Sequence, residues 1–160
     1  MTTGLRHPAM LLLGATLLLT GNDASAEPGT PALRQAVTQF YAALNVMLAG
    51  DAGPMEKLWS RRPDVIYMGP DGNFWHGWIE VDADFAAAAA KRPGGSVEPK
   101  DISITVDHDL AVVADSESGR RMVGGKLQTN SRRATSFFRL EDGEWKMIGH
   151  HVDPDPAMAK

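Results

Sequence analysis

Hydrophobic residues recur at two different periods along this chain, and the point where the period changes divides it into a helical half and a sheet half. Leu33, Val37, Phe40, Tyr41, Leu44 and Leu48 lie at helical spacing. Thr30-Pro31 supplies a cap and a first residue that needs no amide partner, and Gly50 supplies the stop. The pattern predicts one long amphipathic helix over 31–49. Gly53-Pro54 starts a short second helix with Met55, Leu58 and Trp59 on its apolar side, finished before Pro63. A third helix is predicted over 78–91, where Trp78, Val81, Phe85, Ala88 and Ala89 share a face and Pro93-Gly94-Gly95 ends the run. Between the second and third helices, 64–69 and 74–76 read as the arms of a hairpin about Pro70-Asp71-Gly72-Asn73.

After Ser96 the period falls to two. Ile102, Ile104 and Val106 alternate with polar residues, and further strands are predicted at 110–114, 133–140 and 145–152, with Asp142-Gly143 as the reversal between the last pair. The stretch 116–130, rich in Gly and Ser, reads as either a flexible loop or a twisted strand pair. Helices followed by an antiparallel meander mean an α+β domain, with three helices packed on a curved sheet.

The first 26 residues follow a third pattern: Arg6 and His7, an apolar run from Ala9 to Leu19, and a polar end with Ala24-Ser25-Ala26. The run would span roughly 16 Å as helix, about half of a hydrocarbon core, so it reads as a cleaved signal peptide rather than an anchor. We therefore expect residues 27–160 to form a single exported domain, periplasmic or secreted, with no membrane contact after cleavage. Composition narrows the chemistry further. There are 16 Lys and Arg against 20 Asp and Glu, a net charge of -4, and no basic run, which argues against nucleic acid as a partner. The absence of cysteine removes disulfides, thiolate nucleophiles and thiolate metal sites.

Four local strings, in this order, resemble the NTF2-like superfamily, in particular its SnoaL-like and ketosteroid-isomerase-like branch. They are Leu58-Trp59-Ser60, the stretch Asp64-Val65-Ile66-Tyr67-Met68-Gly69-Pro70-Asp71-Gly72, His76-Gly77-Trp78 at the third helix, and Asp142-Gly143-Glu144-Trp145-Lys146-Met147-Ile148-Gly149-His150-His151 at the end. The resemblance covers about residues 31–153. It implies a cone-shaped fold with a pocket between helices and bent sheet, and a homodimer. It also shows a departure: the strand at 66–68 lacks the carboxylate that the isomerase branch carries there, and Gly149 stands where the family's terminal pattern has its first His.

Within that frame His151 and Asp153 are the leading catalytic candidates. They are in phase on the last strand, with backbones roughly 6.5 to 7 Å apart, so a carboxylate can orient an imidazole as general base. Taken with a strict two-residue period, His151 shares the pocket face with Trp145 and Met147, while His150 faces away. Tyr41, placed where the resemblance puts a phenolic donor, is the third catalytic candidate. Tyr67, Trp59, Trp145 and His76 are candidate ligand contacts. Arg132 and Arg133 must point to opposite faces, so one looks inward and would favour an anionic group; Arg133 is taken as that candidate. His150 and His151 cannot hold one metal ion from opposite faces, and no metal or other cofactor is expected. The expected function is binding of a small apolar or anionic molecule; the alternative is cofactor-free acid/base chemistry of lyase, cyclase or isomerase type centred on His151.

Overall fold

The computed structural model describes Met1 and residues 30–155, so the predicted leader lies outside the described residues. Three helices and six strands follow in the order α1 (Thr30–Ala49), α2 (Gly53–Leu58), β1 (Ile66–Met68), β2 (Phe74–His76), α3 (Trp78–Ala90), β3 (Ser96–Asp107), β4 (Leu110–Val123), β5 (Lys126–Glu141) and β6 (Glu144–Pro154). One mixed sheet runs β2-β1-β6-β5-β4-β3; every neighbouring pair is antiparallel except β1 with β6. The stretch 116–130 resolves as the strand pair: β4 and β5 stay in register to Val123 and Lys126, turning at Gly124 and Gly125, both with positive φ. Asp142 and Gly143 likewise both take positive φ, as a two-residue hairpin turn matched to strand twist requires.

Helices and sheet meet along one face. Leu33, Val37, Phe40 and Met47 of α1 and Val81, Phe85 and Ala89 of α3 are buried against Ala111, Val113, Phe138, Trp145 and Met147. The inward positions follow the two-residue period on β4 (Ala111, Val113, Asp115, Glu117) and β5 (Ala134, Ser136, Phe138). On β6 the period breaks. Phe137 pairs with Gly149 but Phe138 pairs with Met147, which leaves Ile148 as an extra residue. This is a β-bulge, and it changes which residues face inward. Trp145 and Met147 are buried before it, His150 and Val152 after it. Gly149 sits at the bulge because a Cβ there would lie 2.9 Å from the Phe137 ring.

The segment joining α2 to β1 is fastened to the sheet by charge. Arg139 donates to both carboxylate oxygens of Asp64, at 2.7 and 3.1 Å, and to Glu141 at 2.8 Å; Ser60, fully buried, donates to the same Glu141 oxygen at 2.9 Å. The Arg139 guanidinium holds the Asp64 carboxyl below its usual range. Truncating the arginine would leave Glu141, only 13% exposed, with the more exposed Arg62, 3.5 Å away, as its remaining cation. Arg139→Ala is therefore expected to cost about 2 kcal/mol in urea denaturation, and Arg139→Lys to recover less than half of it, because an ammonium cannot bridge two carboxylates as the planar fork does.

Candidate functional site

Between α1, α3, the β1–β2 hairpin and the bend of the sheet lies a cavity of about 310 Å³. Phe40, Leu44, Met47, Met55 and Val152 give it apolar walls; Tyr67, Glu117, Arg121, Arg132 and His150 are polar residues that line it from the sheet. Their convergence follows from register. Glu117 stands opposite Arg132, Ser136 opposite His150, and Tyr67 opposite His150 on the other flank.

His150 is 3% exposed. Its Nδ1 is 2.9 Å from Ser136 Oγ, its ring lies near-parallel to Tyr67 with centroids 6.1 Å apart, and Phe40 packs at 5.0 Å. The tautomer that takes Ser136 as donor leaves the hydrogen on Nε2, which points towards Glu117 Oε1 at 3.7 Å, too far for a hydrogen bond. Burial pushes the imidazole down to about 3, with the neighbouring His151 as a smaller cause, so the ring is neutral.

Glu117 is also 3% exposed. Burial, then the nearby Asp115 carboxyl, push it up to about 7, against the opposing pull of Arg132 and a hydrogen bond from Tyr41. Tyr41 has one hydroxyl proton and two acceptors: Asp115 Oδ1 at 2.7 Å and Glu117 Oε1 at 3.3 Å. Burial and these two carboxyls hold its phenol well above the ordinary tyrosine range, as burial holds Asp115 above that of a carboxylate. Tyr67 is raised by burial too, so both phenols are neutral donors. The site is thus a buried pair of acid/base groups, Glu117 and His150, framed by phenols, with a guanidinium at its edge.

The bulge overturns the placement of His151. His151 is on the outer face with its side chain 41% exposed, 3.2 Å from Asp153. The two do share a face, as their spacing predicts, but it is the face away from the cavity. Arg133 is outside as well, ion-paired with Asp153 at 3.9 Å, and Arg132 is the inward member of the pair. Trp59 belongs to the core, edge-on to Phe85 and Tyr67. Trp145 faces inward beyond the cavity, in a groove between α1 and the β5–β6 turn. His76 is exposed on β2, its amide bonded to Glu80. Tyr67 does line the cavity, while Tyr41 stands behind Glu117 as its hydrogen-bond donor. Glu117, Asp115 and Ser136 were not singled out from sequence. The signal for the carboxyls was present, since Ala111, Val113, Asp115 and Glu117 keep one phase.

A family model described as a SnoaL-like domain matches residues 33–153. The chain belongs to this family. Solved structures similar to this SnoaL-like domain include a Streptomyces avermitilis protein of the NTF2-like family proposed to be a dehydratase, 24% identical, with a TM-score of 0.68 over 79% of this chain and 95% of that one. An NTF2-like protein with a cystatin-like fold from Novosphingobium aromaticivorans is 17% identical, with a TM-score of 0.65 over 81% and 85% of the two chains. An NTF2-like superfamily protein of Salmonella enterica is 14% identical, with a TM-score of 0.64 over 76% and 87%. At these identities the likeness is one of fold. No match is found among curated proteins.

Burial gives the SnoaL-like domain a distinctive pH response. Between 4.5 and 6.5, the ordinary values of Glu117 and His150, the unfolded chain carries one proton on His150 and none on Glu117; the folded chain carries one on Glu117 and none on His150. The raised Glu117 contributes stability present at low pH and lost as pH rises through about 7, and the depressed His150 contributes stability present above 6.5 and lost as pH falls towards 3. In that window the two slopes cancel. Relative to wild type, Glu117→Gln should therefore gain stability with rising pH, and His150→Gln should lose it, each at about 1.4 kcal/mol per pH unit. Urea midpoints for the three proteins across the window check this; His151→Ala should track wild type.

Proposed function

We propose that this domain binds a small carbonyl compound in the cavity and moves a proton on it without a cofactor, Glu117 acting as base and His150 with Tyr67 as neutral donors. The observation that carries this reading is Glu117: a buried carboxyl that lines a cavity, is poised at about 7, and faces an imidazole held neutral. A carboxylate at that point can take the proton from a carbon next to a carbonyl, and hydrogen bonds from His150 Nε2 and the Tyr67 hydroxyl suit the oxyanion that develops. Returning the proton to another carbon isomerises the compound. Passing it instead to a β-hydroxyl expels water and leaves a double bond, which accords with the activity proposed for the Streptomyces avermitilis relative. His151 has no part in this scheme, because it lies on the other side of the sheet.

The test is hydrogen exchange in D₂O. A panel of small ketones and β-hydroxycarbonyl compounds, followed by NMR, should include members whose α-proton exchanges faster with the protein. That acceleration should fall by roughly 100-fold or more in Glu117→Gln and persist in His151→Ala. A panel in which Glu117→Gln performs as well as wild type would refute the assignment.

Two further expectations belong to this reading. The apolar run 9–19 with Ala24-Ser25-Ala26 supports export of a chain starting at Glu27, and the exposed Leu110 and Val112 on the outer face of β4 support a sheet-to-sheet homodimer. Protein recovered from the producing cell should give an intact mass beginning at Glu27 and, by light scattering, twice that mass in solution; a full-length membrane-bound chain or a strict monomer would count against the respective claim.

A further inference from the structure

We infer that the cavity selects small carboxylic acids, with the ligand carboxylate received by Arg132 at the rim and its apolar body directed towards Phe40 and Met47. This rests on the cavity being the binding site proposed above, and it concerns what that site recognises rather than what it does.

Arg132 projects from the inner face of β5, directly across from Glu117 on β4, and lines the cavity. Among the described residues it has no hydrogen bond and no carboxylate within ion-pair distance, although it is only half-buried. The other two arginines of this strand differ: Arg133 pairs with Asp153, and Arg139 is shared between Asp64 and Glu141. This guanidinium lines the cavity opposite a carboxyl that burial raises to about 7, and its planar fork, unused among the described residues, fits a carboxylate in bidentate fashion. Arg121 and Lys91 add positive charge to the same lining. The countercharges Asp71 and Asp84 also reach the lining, near Tyr67, whose titration they influence, whereas Arg132 opposes their effect on it. A volume of about 310 Å³ suits a molecule of modest size, with the apolar walls to receive its body.

Two probes of equal shape separate charge from fit: 3-phenylpropanoate and its neutral amide, 3-phenylpropanamide, titrated calorimetrically into the full domain. The acid should bind about tenfold more tightly than the amide, and the preference should shrink as ionic strength rises. Arg132→Met should abolish it, while Arg133→Met, on the outer face, should preserve it. Should Arg132→Met fail to fold, the salt dependence and Arg132→Gln carry the decision. Equal binding of acid and amide, failure of both to bind at millimolar concentration, or a preference that survives loss of the Arg132 charge would each overturn the inference. A carboxylate preference without proton exchange on any compound would sink the acid/base reading and leave this one standing; exchange on neutral ketones with no such preference would do the reverse.

Discussion

A single face of one sheet has to serve two incompatible purposes in this molecule, and most of the arrangement follows from that demand. At one end of β4, β5 and β6 the inner face is dry core, with Val113, Phe138, Trp145 and Met147 under the helices. Further along the same strands, the same face carries Asp115, Glu117, Ser136 and His150. On β4 and β5 the two-residue period keeps these positions on the inner face, and on β6 the bulge does so, so the polar groups are buried as Val37 and Phe40 of α1 are. Each must then find a partner or give up its charge.

The polar groups do both. Tyr41 provides one proton for two carboxyls, Ser136 occupies one nitrogen of His150, and burial drives Glu117 and His150 towards neutrality. Asp115 Oδ2 has no hydrogen-bond partner among the described residues. Such a cluster is a poor way to make a stable core, since aliphatic residues of equal volume would be cheaper to bury. Its presence beside a cavity is what separates this end of the sheet from the core end. A carboxyl poised at about 7 beside a neutral imidazole, both reachable through the cavity, holds reactivity in reserve.

The elements themselves were readable in the sequence because each is announced by a local feature: Thr30-Pro31 and Gly50 around α1, the alanine run in α3, Asp142-Gly143 before β6. Even the in-phase carboxyls of β4 were visible, hidden only by the Gly and Ser that made 116–130 read equally as loop. The site was less legible. Whether His150 or His151 lines the cavity depends on one surplus residue in the pairing of β6 with β5, and nothing about Ile148 marks it as surplus before its partner strand is known. Arg132 and Arg133 posed the same question of parity, and here too the answer came from the neighbouring strands. Side-chain type can be read from a chain one residue at a time, but sidedness is a property of pairs.

The bulge at Ile148 carries an implication for how such a pocket can be remodelled over generations. Because the inward residues before it are Trp145 and Met147 and those after it His150 and Val152, deleting Ile148 would restore plain alternation and leave all four still facing the helices. What the deletion would remove is the local kink and added twist that a bulge gives its strand. Curvature and chemistry are therefore under separate genetic control: substitution alters the groups that meet a ligand, while loss of one codon flattens the wall behind them and changes the room available. A lineage could in this way resize its pocket in a single step and keep the reacting groups it already had.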